Sequence, residues 1–392
     1  MPQRQPHGLA AVQMENKTKT KVCHIVSFIN YSLFFEALGQ FPGKDKYEIS
    51  FIFLNPEVSP LEKLLAERGH RVEHVGYESK KHLLSAILKI RKLLKDIRPD
   101  IVHTHLADAS LAGLIAARAS GFKRRLHTRH HATECHVYYP HAVYYDRLIN
   151  RLSKRIIATT GIVKETLLEM EGAPAEKVRL ITYGYDLSRF ENDDASTAEI
   201  GLKYGLEGHY PVVGAISRFV EWKGVHYIIP AFAKLTEKYP KAKLVLANAV
   251  GNYSAAVDAM LERELRPDQY VKIGFEPKIF DLYKNFDLFA HVPVTRDVEA
   301  FGQTYIEALY SEVPSVFTVS GIAHDFIRDR EHALIVPHRD SDAIYRAMEL
   351  LLEDEGLRAA IVKKGKAEVG KRFGGETLAA GLDELYDEMM GA

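Results

Sequence analysis

Two runs of alternating strand and helix patterns dominate this sequence and restrict the folds open to it. Each run combines short, continuously apolar segments, such as VCHIVSFI from Val22, with longer segments whose apolar residues recur at helical spacing. Continuously apolar short segments are typical of strands buried on both faces, and strands that alternate with helices form parallel sheets covered by helices. The sequence therefore predicts an α/β fold with two Rossmann-like domains that face each other across a cleft.

A polar string, ENDDASTAE from Glu191 to Glu199, separates the two runs and predicts a linker or a surface segment. At 392 residues the chain is long enough for two cores. We therefore divide it into a mobile tail (1–20), an N-terminal Rossmann-like domain (21–190), a C-terminal Rossmann-like domain (191–371) and a final helix (372–392).

Composition limits the kinds of partner and the cellular compartment that we expect for this protein. The formal net charge is zero, which predicts no nucleic-acid partner, and no apolar run reaches the length of a membrane span. The polar first twenty residues lack the apolar segment of a secretory signal. With two cysteines, Cys23 and Cys135, the sequence indicates a reducing compartment and no disulfide framework, so we expect a cytoplasmic protein.

The stretch EAFGQTYIE, from Glu299 to Glu307, places two carboxylates around the predicted start of a helix at Gln303. The first turn of a helix exposes free backbone N–H groups, and Gly302 would let a phosphate approach them closely. The alternative is that Glu299 offsets the dipole at the helix N-terminus and that Glu307 is a solvated helix residue.

A second candidate, SRFVEWKG, places Arg218 and Lys223 in a loop between a predicted strand and a predicted helix. A lysine at a helix N-terminus is electrostatically unfavourable unless an anion lies there. A guanidinium and an ammonium group together suit a diphosphate. The alternative is a pair of solvated cations with Glu221 as a local partner.

These motifs together resemble a known family. GAISRFVEWKG, followed about eighty residues later by EAFGQTYIEALYSEVPSV, resembles the donor-binding half of retaining glycosyltransferases of the GT-B fold, in particular glycosyltransferase family 4 (the group 1 glycosyl transferases). PDIVHTHLADASLAGLIAARASG and LITYGYDLSRF resemble the N-terminal half of that family. The resemblance also implies that the final helix crosses back to the N-terminal domain.

The resemblance assigns roles to the residues of both motifs. Arg218 and Lys223 would hold the diphosphate of a nucleotide sugar and stabilise it as the leaving group. Glu299 would contact sugar hydroxyls. The remaining donor contacts would come from the backbone amides of Phe301 and Gly302, at the phosphate or sugar, and from Glu307, at the ribose.

Two further regions gain a role by the same resemblance. The loop around Gly274 and Phe275 would hold the base, although an ordinary strand end is the alternative. His130 would contact the sugar or the leaving group from the N-terminal domain, with His131 as its rival. His105 ends a strand that faces the same cleft, and we interpret it as a buried core histidine.

Histidines are concentrated near Cys135, which raises the question of zinc. Their spacing matches no usual zinc motif, and adjacent histidines rarely ligate one ion well. Asp340 and Asp342 resemble a metal-binding DxD pair, but they precede a predicted helix and are better explained as its cap. We expect no metal and no cofactor beyond the donor substrate. The histidines are His103, His105, His127, His130, His131, His136 and His141.

The segment from Lys80 to Arg155 contains sixteen Lys and Arg residues against five Asp and Glu residues. A basic amphipathic helix can lie on anionic lipid, so peripheral contact with the inner face of a membrane is one interpretation. A solvated helix face is the interpretation that we favour.

The predicted function is metal-independent, retaining transfer of a sugar from a nucleotide-diphosphate sugar to an acceptor hydroxyl, with UDP favoured over GDP. The acceptor is left open among a glycan, a glycolipid and a small molecule. The alternatives are a nucleotide-sugar 2-epimerase on the same fold and a non-catalytic sugar-nucleotide binding protein. The string SFINYSLFF lacks the family's glycine-rich loop after the first strand, so the acceptor side departs from the family pattern.

Overall fold

A computed structural model describes residues 19–40, 45–190 and 193–391. Residues 1–18 of the predicted tail and the first two residues of the predicted linker lie outside the described residues, as does residue 392 of the final helix. The described chain alternates between strands and helices along most of its length, as the apolar periodicity predicts.

In the part of the chain that is described, the N-terminal half contributes seven strands to one sheet: β1 (Thr20–Ser27), β2 (Tyr47–Asn55), β3 (Arg71–Gly76), β4 (Ile101–His105), β5 (Arg125–Arg129), β6 (Arg155–Ala158) and β7 (Val178–Leu180). All neighbours are parallel, in the order β3-β2-β1-β4-β5-β6-β7. The chain runs outward from β1 to one edge and then outward from β4 to the other. A crevice opens at such a reversal, outside the carboxyl ends of β1 and β4.

The connecting helices of this half follow their sequence signals. Ser59 accepts a hydrogen bond from the backbone N–H of Glu62, and the Glu62 carboxylate accepts one from the Ser59 N–H, so the two residues cap the helix that follows Ser59. The helices are α1 (Leu33–Gly39), α2 (Pro60–Glu67), α3 (Leu83–Ile97), α4 (Ala107–Ala119), α5 (Glu134–Tyr138), α6 (Ala142–Leu152) and α7 (Gly161–Glu165).

The C-terminal half repeats this architecture. Six strands of the described chain form its sheet: β8 (Val212–Ile216), β9 (Lys243–Ala247), β10 (Tyr270–Ile273), β11 (Leu288–His291), β12 (Ser315–Phe317) and β13 (Leu334–Ile335). They are parallel, in the order β10-β9-β8-β11-β12-β13, and the order reverses between β8 and β11. The structure thus has the two Rossmann-like sheets that the sequence predicts.

The predicted linker is in large part a surface helix. Asp193 caps it by accepting hydrogen bonds from the N–H groups of Ala195 and Ser196, so these polar residues start a helix instead of a loose connection. Asp340 caps a later helix through the N–H of Ala343, as predicted. The helices are α8 (Asp194–Lys203), α9 (Val225–Lys238), α10 (Ser254–Glu264), α11 (Ile279–Tyr283), α12 (Gln303–Tyr310), α13 (Ala323–Phe326), α14 (Ser341–Glu353), α15 (Glu355–Arg372) and α16 (Gly375–Gly391).

The last helix, α16, crosses back to the N-terminal half, as the resemblance implies. Its Tyr386 hydroxyl lies 2.9 Å from Nδ1 of His103 in β4, and its Glu388 carboxylate pairs with Arg155. Where the chain returns, the N–H of Tyr185 donates to the carbonyl of Phe373 at 2.9 Å, so the outgoing and returning segments lie side by side. None of the helices in residues 19–40, 45–190 and 193–391 is both long and apolar enough to cross a membrane.

Candidate active site

Two loops of the C-terminal half leave neighbouring strands at the carboxyl edge of the second sheet. Arg218 and Lys223 follow β8, and Glu299 follows β11, which pairs with β8. Because the strand order reverses between these two strands, the expected crevice opens between the two loops. The topology therefore brings together Lys223 and Glu299, which are 76 positions apart in sequence.

Glu299 is a fixed, charged carboxylate in this crevice. Lys223 Nζ donates to its Oε1 at 2.5 Å, and Nε2 of His291 lies 3.5 Å from the same oxygen. Burial opposes the charged form, but Lys223 and His291 outweigh it and hold the pKa of Glu299 well below its ordinary value. The backbone N–H of Glu299 also donates to Ser320 Oγ, which fixes the loop.

Arg218 has a different environment from Lys223. Its side chain is exposed, and it makes no ion pair with any residue that the structure describes. A cation without an internal partner is available to an incoming anion, whereas Lys223 would share its charge between the anion and Glu299. The two residues together thus offer the positive charge that a diphosphate needs.

The helix α12 begins at Gln303, as predicted, directly after Gly302. Gly302 has φ of 85°, and a Cβ atom at this position would lie 2.7 Å from the ring of Tyr305. Glycine is therefore required both by the backbone and by the close ring. Since glycine has no side chain to cap the helix, the first N–H groups of α12 remain available to an anion.

Glu307 lies inside α12 and is almost fully buried. The hydroxyl of Tyr283 donates to its Oε2 at 3.0 Å. Burial raises the pKa of Glu307 to about 7, and the Tyr283 hydrogen bond only partly offsets this shift. A carboxylate in this state would gain from further donors, such as the two hydroxyls of a ribose.

Phe301 connects the two halves of the chain. Its ring is buried and stacks on Tyr183 of the N-terminal half, with the ring centroids 4.2 Å apart. Beside it, the Thr160 hydroxyl donates to the carbonyl of Ala300 at 2.8 Å. The side chain of Phe301 is thus occupied by packing, which leaves its backbone as the part that could meet a ligand.

The predicted base-binding residues lie apart from this cluster. Gly274 and Phe275 follow β10, the edge strand, which β9 separates from β8. Phe275 is 68% exposed, so its ring is free to stack on a ligand or to stay in solvent. Their assignment stays a prediction.

The histidines of the N-terminal half form a hydrogen-bonded chain. The Tyr183 hydroxyl contacts Nδ1 of His130, Nε2 of His130 lies 3.1 Å from Nδ1 of His105, and Nε2 of His105 lies 3.0 Å from Nδ1 of His24. Burial lowers the pKa of His24 and that of His130 to about 3, so both rings are neutral near pH 7. Both ring nitrogens of His130 are therefore engaged within the protein. Its predicted contact with the sugar stays untested, and His105 is a buried histidine as expected.

The rival, His131, belongs to a separate ionic network. Its Nε2 lies 3.0 Å from a carboxylate oxygen of Asp146, which also pairs with the fully buried Arg129 at 3.0 Å. Arg129 makes a further ion pair with Glu171. Two groups of side chains in the described chain lie close enough to hold a metal ion, although several of their atoms already make hydrogen bonds or ion pairs to protein. The groups are His24, His103 and His105, and His131, Cys135 and Asp146.

Several residues that shape the site were missed at the level of sequence. His291 and Tyr283 hold the two glutamates, but neither lies in a recognisable motif. The position of His291 at the end of β11, directly before the Glu299 loop, is a signal that could have identified it. Tyr283 lies at the end of a short helix, and only the three-dimensional packing brings it to Glu307.

Comparison with protein families agrees with this geometry. Residues 198–368 match the family described as glycosyl transferases group 1, and residues 38–189 match the family described as glycosyltransferase family 4. The first match contains the Arg218, Lys223, Glu299 and Glu307 positions, and the second contains His105 and His130 of the histidine chain.

Curated relatives are also glycosyl-transferring enzymes by name. A mannosylfructose-phosphate synthase of Agrobacterium fabrum is 26% identical over 317 residues, which cover 73% of this chain and 68% of that protein. A capsular polysaccharide biosynthesis glycosyltransferase of Staphylococcus aureus is 26% identical over 313 residues, which cover 78% of this chain and 81% of that protein.

Solved structures share the whole fold. Anabaena HepE, in complex with UDP and glucose, superposes with a TM-score of 0.82 at 19% identity and covers 94% of this chain and 100% of its own. Sucrose-phosphate synthase of Thermosynechococcus elongatus superposes with a TM-score of 0.75 at 18% identity, covering 95% of this chain and 100% of its own. These likenesses confirm the GT-B fold. Together with the two family matches and the curated relatives, they show a glycosyltransferase that resembles the group 1 glycosyl transferases and glycosyltransferase family 4.

Proposed function

We propose that this glycosyltransferase moves a sugar from a nucleotide-diphosphate sugar to an acceptor hydroxyl with retention of configuration and without a metal ion. The observation that carries the proposal is the meeting of Lys223 and Glu299 beside the open start of α12. A cation next to free N–H groups suits a diphosphate, and an ionised carboxylate at the same place suits sugar hydroxyls.

The chemistry that these groups can supply is electrostatic. Negative charge develops on the diphosphate as its bond to the sugar breaks, and Arg218 and Lys223 are placed to stabilise that charge. In this proposal the two protein cations and the start of α12 stabilise the negative charge of the leaving diphosphate, as a divalent ion does in other transferases. Full activity in the presence of EDTA is the expected result, and a requirement for added Mg²⁺ or Mn²⁺ would contradict it.

UDP is the nucleotide that we propose. The support is that HepE, which shares the fold, has been solved with UDP and with UDP-glucose. One curated relative is named as GDP-mannose-dependent, so GDP is the competing base. Titration of the protein with UDP and with GDP in a calorimeter compares the two directly, and tighter binding of GDP would overturn the choice.

The test of the reaction itself is a release assay with a panel of UDP-sugars. We expect release of UDP and, when a product is isolated, an anomeric configuration by NMR that matches the donor. An inverted product would refute retention. Epimerised donor without transfer would favour the 2-epimerase alternative, and nucleotide binding without turnover would favour the non-catalytic alternative.

The acceptor is proposed to enter from the N-terminal half and to be a glycan, a glycolipid or a small molecule. The surface of this half has exposed apolar side chains at Leu84 and Leu88 on α3 and at Tyr144 on α6, and the Lys80 ammonium lies 4.9 Å from the centroid of the Tyr145 ring. Such a surface suits peripheral contact with an anionic membrane. Salt-sensitive co-sedimentation with phosphatidylglycerol vesicles is expected, and no binding at low salt would exclude this contact.

A further inference from the structure

The short helix α5 of the N-terminal half lies against the two loops that carry Lys223 and Glu299 (the donor loops). At its start, the Thr133 hydroxyl and N–H both donate to the carbonyl of Asp297, at 2.8 and 3.3 Å. At its end, the ring of Tyr138 packs on Trp222, with centroids 4.7 Å apart. Asp297 is two residues before Glu299 and Trp222 is directly before Lys223, so α5 is held at both ends beside the Lys223–Glu299 pair.

Glu134 is the first residue of α5, between these two contacts. Its side chain is partly buried, yet it makes no hydrogen bond or ion pair with any of the described residues. Four charged groups lie within electrostatic range of its carboxylate: Glu299, Arg218, Lys223 and Arg129. Glu134 is thus an unpaired carboxylate that the N-terminal half presents to the donor side of the cleft.

We propose that Glu134 is a catalytic residue on the acceptor side, which accepts the proton of the attacking acceptor hydroxyl. This inference rests on the proposed transfer reaction. The acceptor oxygen forms a bond to the anomeric carbon, and the bond between that carbon and the diphosphate oxygen breaks. The diphosphate leaves with the electron pair of the broken bond, opposite Arg218 and Lys223. The proton of the acceptor hydroxyl passes to the Glu134 carboxylate and then, after product release, to water.

Other titratable groups near the cleft are less suited to this step. Glu299 is committed to Lys223 and His291, which keep its pKa low and make it a weak base. His130 has both ring nitrogens engaged, and burial lowers its pKa to about 3. His131 is paired with Asp146.

The environment of Glu134 instead strengthens it as a base. Burial, followed by the nearby charge of Glu299, raises the pKa of Glu134 above its ordinary value, against the opposing effects of Arg218, Lys223 and Arg129. A raised pKa brings a carboxylate closer to the working pH, which is the condition for efficient proton transfer.

The experiment compares the wild-type protein with Glu134→Gln and with Glu169→Gln, a matched control at an exposed position of the same half. UDP binding is measured first by calorimetry, and UDP release is then measured with UDP-glucose, UDP-galactose and UDP-N-acetylglucosamine, with water and glycerol as simple hydroxyl acceptors. We expect Glu134→Gln to bind UDP as tightly as the wild type or several-fold tighter, because a negative charge facing Arg218 and Lys223 is removed.

Release by Glu134→Gln is expected to fall by about a hundredfold or more, the usual contribution of a positioned base, and the acid limb of the pH profile of kcat should disappear. Added formate should restore part of the activity of Glu134→Ala, because it can occupy the space of the lost carboxylate. Glu169→Gln should match the wild type throughout.

Two outcomes would overturn the inference in distinguishable ways. If the turnover of Glu134→Gln is within threefold of the wild-type turnover, and its pH profile keeps the same acid limb, the proton step is excluded and the transfer reaction stands. A wild-type protein that releases UDP from no donor of the panel would overturn the proposed transfer, and the proton step with it.

Discussion

The donor loops of the C-terminal half and the histidine chain of the N-terminal half use their polar groups in opposite ways. In the donor loops, Arg218 is exposed without an ion-pair partner among the described residues, and the start of α12 is uncapped. In the histidine chain, His130 and His105 have both ring nitrogens bonded within the protein. One region keeps its charges and donors available, whereas the other uses its polar atoms to hold itself together.

Polar residues at the mouth of a crevice are therefore not equivalent as candidates for ligand binding. Groups that are charged and incompletely satisfied can gain from a ligand, because the ligand supplies partners that the protein lacks. Groups that are neutral and fully bonded must first lose a protein partner before they can bind anything. The comparison therefore supports the proposed donor roles of Arg218, Lys223 and Glu299, and it weakens the case for His130 as a ligand contact.

The largest expected effect that tests this comparison is that of Lys223→Ala. Loss of the cation beside the leaving group should lower the rate of UDP release by about a hundred- to a thousandfold, as loss of one transition-state donor does in other enzymes. Initial rates with a saturating UDP-sugar measure it. Lys234→Ala, which removes an exposed lysine of the same half that is paired with Asp342, is the control and should keep the wild-type rate. A Lys223→Ala rate within tenfold of the wild type would remove the basis for the donor assignment.

An intermediate and pH-dependent effect is expected for Glu307→Gln. Burial raises the pKa of Glu307 from 4.5 to about 7 in the folded state. Ionisation of this carboxyl therefore destabilises the folded protein, by an amount that increases between pH 4.5 and pH 7 and is constant above pH 7. The variant should therefore be more stable than the wild type above pH 7, by on the order of 3 kcal/mol, and equal to it below pH 4.5. Urea unfolding without ligand at several pH values measures this.

Ionisation of Glu307, which lowers stability, should raise the affinity for the nucleotide. The ionised carboxylate is the better acceptor for ribose hydroxyls, so the affinity of the wild type for UDP should rise as pH increases through about 7. Glu307→Gln should lose this rise. A pH-independent affinity in both proteins would show that Glu307 does not meet the ribose.

The smallest effect on nucleotide affinity is expected for His130→Gln. The affinity for UDP should stay within twofold, while the free energy of unfolding falls by about 1–2 kcal/mol because Tyr183 and His105 lose a partner. Calorimetry and urea unfolding provide the two numbers. If the variant instead bound UDP normally but lost transfer by a hundredfold or more, His130 would act on the sugar, as the resemblance implies, and the contrast between the two regions would fail.

The sequence predicts the secondary-structure elements around the proposed donor site because their determinants are local. The strand before Arg218, the glycine before α12 and the spacing of Glu299 and Glu307 can each be recognised within a short stretch. The acceptor side is different, since α5 was not predicted as a helix beside the donor loops. Glu134 gains its significance from Thr133 meeting Asp297, 164 positions away, and no local pattern encodes such a contact.

The paired segments at Tyr185 and Phe373 have a mechanical consequence. The chain leaves the N-terminal half and returns to it at one place, where the two segments share a backbone hydrogen bond. We therefore expect any rotation of one half relative to the other to have its pivot at these paired segments. Because α16 lies beyond these paired segments and is anchored to His103 and Arg155, we expect it to move as one body with the N-terminal half, although it is encoded at the end of the chain.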